Sequence, residues 1–166
     1  MPLPMPLGRI LVEHHAVPLK TYTPLLLAAT TNPTLGVDAV QQGRYWRDPR
    51  TGWITGQLII KFGTSGSAPG SGNYSVTLPT AAYAFYSTTI GQADIWGYFS
   101  IRDNSAPNNS RFGLLTRNTV NAGPGGVALA FLSLFDGTAT NVTHAYPFAW
   151  TNGDAVAATF CYPGPP

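Results

Sequence analysis

Three histidines, one cysteine and seven acidic residues are the side chains of this 166-residue chain best suited to catalysis or metal binding. His14 and His15 are adjacent, and His144 lies far along the chain. Neighbouring side chains of an extended segment point to opposite sides, so the pair cannot grip one ion together. No cysteine or carboxylate sits at ligand spacing from them. Cys161 with His144 would make a nucleophile and its base. Flanked by Phe160 and Tyr162, however, Cys161 reads as a small apolar core residue of the last strand. A glycosidase needs two carboxylates in one cleft, one as acid and one as nucleophile or base. The single glutamate, Glu13, lies near the N-terminus, while Asp48, Asp136 and Asp154 adjoin Pro49, Gly137 and Gly153. Turn formation accounts for those three without catalysis. The glycine-rich stretch 63–72 lacks the lysine and the following helix of a phosphate-binding loop, and reads as a flexible hairpin loop. The Asn-x-Ser/Thr triplets at Asn73, Asn108 and Asn141 read as chance in a chain rich in those residues. The expectation is no enzyme, with no catalytic residue, no cofactor and no metal.

The elements around these residues are strands. Gly43–Arg47 is a short aromatic strand, and Asp48–Gly52 is a turn in which Pro49 presets φ and Gly52 accepts a positive one. Trp53–Phe62 follows, rich in β-branched and aromatic residues. It alternates Ile54, Gly56, Leu58, Ile60 and Phe62 against Trp53, Thr55, Gln57, Ile59 and Lys61. The first set belongs to a core. The second, with Trp53 and Ile59, packs either on another subunit or on a second sheet of the same domain. Asn73–Leu78 is a third strand, stopped by Pro79. Upstream, Tyr22–Thr30 opens the domain, Asn32–Gly36 is a turn and Val37–Gln42 leads into the central stretch.

Downstream, Ala81–Gly91 is apolar but irregular. Ala93–Asp103 sets Ile95, Gly97, Phe99 and Ile101 against Trp96, Tyr98, Ser100 and Arg102. Asn104–Asn109 is a turn into Ser110–Thr119, which completes a hairpin. Val120–Gly126 is a loop, Val127–Phe135 a strand, and Asn141–Trp150 and Ala155–Tyr162 close the fold as a hairpin at Asn152-Gly153-Asp154. Eight to ten strands without repeats or a long helix predict an all-β fold, an antiparallel β-sandwich of jelly-roll-like type.

Composition suits one domain with a real core. Only 10% of residues are charged and 44% are apolar, which excludes a disordered chain. A net charge of +2 with scattered Lys and Arg gives no nucleic-acid signal. No apolar run approaches a membrane span, and the proline-broken N-terminus lacks a signal-peptide layout. Residues 1–20 differ from the domain at 21–166. Pro2, Pro4 and Pro6 favour an extended path, and seven large apolar residues fall within the first twelve. The segment reads as a disordered terminus or as a docking arm that presents Leu3, Met5, Leu7, Ile10, Leu11 and Val12. Most of the aromatic residues read as core. The best candidate surface is Tyr45-Trp46 beside Arg44, Arg47 and Arg50, with Trp53 after the turn.

These pieces also carry a resemblance. Tyr22–Gly36 (YTPLLLAATTNPTLG), the G-R-Y strand at Gly43, a strand ending in Phe62-Gly63, a Gly/Ser loop, a strand ending in Leu78-Pro79, and PFAWTNGD at Pro147–Asp154 occur in one order. Across Tyr22 to Tyr162 the chain resembles a small β-sandwich domain of bacteriophage tail-fibre and minor tail proteins, virion surface proteins of actinobacterial phages. It departs from that pattern at the charged turn Asp48–Arg50, and 111–135 follows no part of it. The resemblance implies a virion structural protein of minor-tail or tail-fibre type, assembled in the host cytoplasm as a homotrimer. The N-terminal arm would join it to other virion proteins, and host cell-surface glycan is a further partner to expect. A capsid decoration protein is the alternative, and a glycan-degrading depolymerase or a lectin module the lesser ones.

Overall fold

A computed structural model of the chain describes residues 18–80, 95–106, 110–118, 128–133 and 140–165. The docking-arm residues Leu3 to Val12, the apolar stretch 81–91, the loop 120–126 and Asp136 lie outside them. The described residues form ten strands: β1 Lys20–Tyr22, β2 Leu26–Ala28, β3 Val40–Arg47, β4 Trp53–Lys61, β5 Tyr74–Val76, β6 Ile95–Arg102, β7 Ser110–Asn118, β8 Ala128–Ser133, β9 Thr140–Asn141 and β10 Ala155–Pro163. All pairings between them are antiparallel, in the order β1-β3-β4-β10-β6-β7-β8-β5-β2, with β9 beside β8. The fold is all-β, as its alternating patterns require.

The ends of this ladder reveal its shape. β1 and β2 are its two edges, yet only Thr23, Pro24 and Leu25 separate them in sequence. Four Cα steps reach about 14 Å at most. A ladder of nine strands can bring its edges that close only by curling over on itself. Pro24 marks the break, and its neighbours tie to both sides. Its carbonyl accepts a hydrogen bond from the Gln41 amide of β3 (2.9 Å), and Leu25 N–H donates to the Thr77 hydroxyl after β5 (2.9 Å).

Curling encloses one core. Leu26 of β2 and Tyr74 and Val76 of β5 cluster with Ile54, Leu58 and Ile60 of β4, Phe99 and Ile101 of β6, and Val156, Phe160 and Tyr162 of β10. Burial along β4 follows the predicted alternation residue by residue, with Ile54, Gly56, Leu58 and Ile60 inside. Close approach replaces a side chain at Gly43, where a Cβ would lie 2.0 Å from the Tyr22 ring. The Asp48–Gly52 turn forms as expected. Asp48 Oδ1 accepts from Arg50 N–H at 2.8 Å, and Gly52 has φ +74°. These bonds, led by the Arg50 amide and then the Thr51 hydroxyl, hold the Asp48 carboxyl below the usual range.

Four expectations are corrected. In β6 the strict alternation fails at its start: Ile95 pairs Thr116 and Gly97 pairs Leu115, which leaves Trp96 as a bulged residue. The bulge turns Trp96 inward, stacked on Tyr162 with ring centroids 5.5 Å apart, and puts Ile95 outside. Second, the stretch 63–72 is no hairpin loop, because β4 pairs β3 and β10 whereas β5 pairs β2 and β8. It runs from β4 to β5, zipped to the Thr31–Val37 segment by bridges Thr31↔Ser71, Thr34↔Ala68 and Val37↔Ser65. Third, Asn141–Trp150 is not a closing strand. Thr140–Asn141 pairs with β8, Val142 and Thr143 then turn to Tyr74 and Asn73, and Thr143 bonds back to Tyr146 before Pro147, which has no N–H to continue a ladder. Asn152-Gly153-Asp154 therefore caps the last strand without joining a hairpin. Fourth, Cys161 is exposed, since burying Phe160 and Tyr162 on either side forces it to the opposite face.

Candidate functional site on the outer sheet face

The five strands β3, β4, β10, β6 and β7 lie side by side, and their pairing fixes which side chains meet on the face turned away from the core. Arg44, Gln57, Thr159, Tyr98 and Leu114 make one cross-strand row. Gln42, Ile59, Ala157, Ser100 and Phe112 make the next. On the other side of the first, Trp46, Thr55 and Cys161 continue the pattern. β10 occupies the middle and contributes Ala157, Thr159 and Cys161, all small. The strands around it add polar Gln42, Gln57 and Ser100 at the floor and large Trp46, Trp53, Ile59, Tyr98 and Phe112 around it. The result is a trough along β10 with a low floor and aromatic walls, two adjoining depressions of about 580 and 620 Å³.

The walls face solvent. Trp46, Trp53 and Ile59 on one side and Ile95, Tyr98 and Phe112 on the other are 40–66% exposed. Six large apolar side chains on one continuous face exceed the scattered exposure of an ordinary surface. Among the described residues, the side chains of Arg44, Gln57 and Thr159 make no hydrogen bond, so their donors and acceptors are available. Thr55 Oγ1 and Cys161 Sγ lie 3.3 Å apart.

Of the residues expected on the surface, the structure brings Arg44, Trp46 and Trp53 together at one end of the trough. Tyr45 does not reach it. Strand parity turns Tyr45 inward, where it meets Tyr22 edge-on with centroids 5.9 Å apart. Arg47 does not line the trough and donates to the carbonyl of Pro165, and Arg50 sits on the exposed turn. Sequence reasoning missed Tyr98, Phe112, Thr159 and Cys161. The signal existed in β10, whose buried Val156, Ala158, Phe160 and Tyr162 leave only small residues outward, but the pairing of β10 between β4 and β6 was needed to place it.

The chemically capable side chains are employed in structure. Asp154, fully buried, accepts from Asn104 N–H (2.8 Å) and Thr151 N–H (2.6 Å). Asp103 accepts from Ser105 N–H at 2.9 Å and so caps the turn after β6. His144 Nδ1 accepts from Gly72 N–H at 3.3 Å. Among the described residues no three His, Cys, Asp or Glu side chains gather at metal-binding distance, and no helix is long and apolar enough to cross a membrane. No family model, curated protein or solved structure matches the chain.

Proposed function

We propose that the chain is a bacteriophage virion structural protein of minor-tail or tail-fibre type, displayed on the particle and binding through the outer face of β3-β4-β10-β6-β7. The observation that supports this best is that face: exposed aromatic walls over a floor of small residues form a recognition surface, while the carboxylates of Asp103 and Asp154 are spent on turns. The ordered motifs from Tyr22 to Asp154 point the same way. Their elements fall at the joints of the fold: the Pro24 edge crossing, the zipped 31–71 loop pair, and Trp150 packed on Phe62 and Tyr74 at 5.6 and 5.4 Å. A jelly-roll-like sandwich and a homotrimer belong to this proposal. So does attachment through the N-terminal arm, led by Leu3, Met5, Leu7, Ile10, Leu11 and Val12.

Mass spectrometry of gradient-purified particles, with immunogold labelling of this chain, tests the reading. Label at the tail supports it. Label over the head favours the capsid-decoration alternative, and absence from the particle overturns both. The trimer is tested separately by mass in dilute solution, where a stable monomer refutes it.

A further inference from the structure

We infer that the trough along β10 binds an anionic polysaccharide, a sugar polymer carrying uronate or phosphodiester groups. The inference rests on the reading of this face as the recognition surface and names its ligand.

Charge sets the sign of the ligand. Among the described outward side chains of the five strands, the charged ones are Arg44, Lys61 and Arg102, and none is a carboxylate. Arg44 stands in the trough itself, while Lys61 and Arg102 flank Ala155 where the trough runs out. The chain as a whole has nearly equal numbers of basic and acidic residues, nine against seven, so this face is charge-segregated.

Side-chain chemistry sets the class. Gln57, Thr159, Ser100 and Gln42 offer uncharged amides and hydroxyls across the floor, suited to sugar hydroxyls. Trp46, Trp53 and Tyr98 supply flat apolar surfaces with polar tips at the walls, suited to the apolar face of a pyranose. Two adjoining depressions along β10 suit a polymer better than a monosaccharide. A second copy applying the same face would set Arg44, Lys61 and Arg102 against their own counterparts with no acid to receive them. The proposed trimer would therefore use another face.

Affinity electrophoresis of the full-length protein tests this, in gels containing polygalacturonate, poly(glycerol phosphate), dextran or single-stranded polythymidylate. Retardation by at least one of the two anionic sugar polymers and not by dextran is expected, weakening as salt rises. Trp53→Ala should weaken it about tenfold, the scale of one lost aromatic contact. Arg44→Gln should weaken it several-fold. Arg111→Gln removes the same charge opposite Ile101, on the other face, and should leave binding intact. Four results overturn the inference: no retardation by either anionic sugar polymer, equal or stronger retardation by polythymidylate, indifference to Trp53→Ala and Arg44→Gln, or self-association abolished by those two changes. If the chain is absent from particles yet binds, the virion reading fails and this one stands. If it is present yet does not bind, the reverse holds.

Discussion

Replacing Asp154 with alanine should destabilise the protein far more than the same change at Asp48, although both read in sequence as turn aspartates. Asp154 is fully buried, and its carboxylate receives Asn104 N–H at 2.8 Å, Thr151 N–H at 2.6 Å and the Thr151 hydroxyl at 3.4 Å. Through its backbone it also accepts from Phe62 N–H at 2.8 Å, which anchors the end of β4. Alanine keeps that backbone bond but strips the buried carboxylate from two part-buried amides. At about 1 kcal/mol for each part-buried donor, the low end of the range for a stranded one, the loss is on the order of 2 kcal/mol. That is a large share of the roughly 5–15 kcal/mol typical of a domain. The hydrogen bonds of the Asp48 carboxylate lie at the exposed surface, and water replaces it on the Arg50 and Thr51 amides, so its loss is much smaller. Urea unfolding followed by fluorescence of buried Trp96 and Trp150 measures both. Asp154→Asn, which keeps one acceptor oxygen, should fall between. Equal midpoints for Asp154→Ala and Asp48→Ala would refute the argument from burial.

Three further outcomes follow. Gly97→Ala should unfold or rearrange the β6 bulge, because its Cβ would lie 1.9 Å from the Thr159 carbonyl oxygen, a backbone atom that cannot step aside; a wild-type melting temperature would contradict this. Alkali should unfold the protein above about pH 10, because burial pushes the Tyr162 phenol up to about 12, and those of Tyr22 and Tyr74 up as well. A raised folded pKa contributes stability that is fully present below the unfolded value near 10 and is lost as pH rises through the folded one, about 3 kcal/mol for Tyr162 alone. Unchanged urea midpoints from pH 9 to 11.5 would count against it. Cys161 should react with a thiol reagent in the native state, at one equivalent per chain and without urea.

The sequence was most legible where period and neighbour agree. β4 reads correctly because Ile54, Leu58 and Ile60 alternate without interruption, and the Asp48 turn because Pro49 and Gly52 act locally. It failed where partners are remote. The bulge at Trp96 depends on how β6 registers with β7, and nothing in Ile95-Trp96-Gly97 announces a slip. The 152–154 turn carries a strong hairpin signature, but the chain before it had already turned back at Thr143–Tyr146, and β10 pairs β4 and β6 instead. Cys161 was judged by its apolar neighbours when strand parity should have placed it opposite them. Half the candidate site, Arg44, Trp46 and Trp53, was visible as an aromatic and basic cluster around one turn. The other half came from β6, β7 and β10, brought alongside only by the sheet order.

The central claim is that this chain displays the outer face of β3-β4-β10-β6-β7 on a virion. Cys161, the only cysteine, lies on that face and reports its accessibility. Intact, purified particles treated with a biotin-maleimide too large to enter a protein interface should show this chain labelled to the same extent as the isolated protein. Labelling that appears only after the particles are dissociated would mean that the face is buried against a neighbour, and would contradict the account.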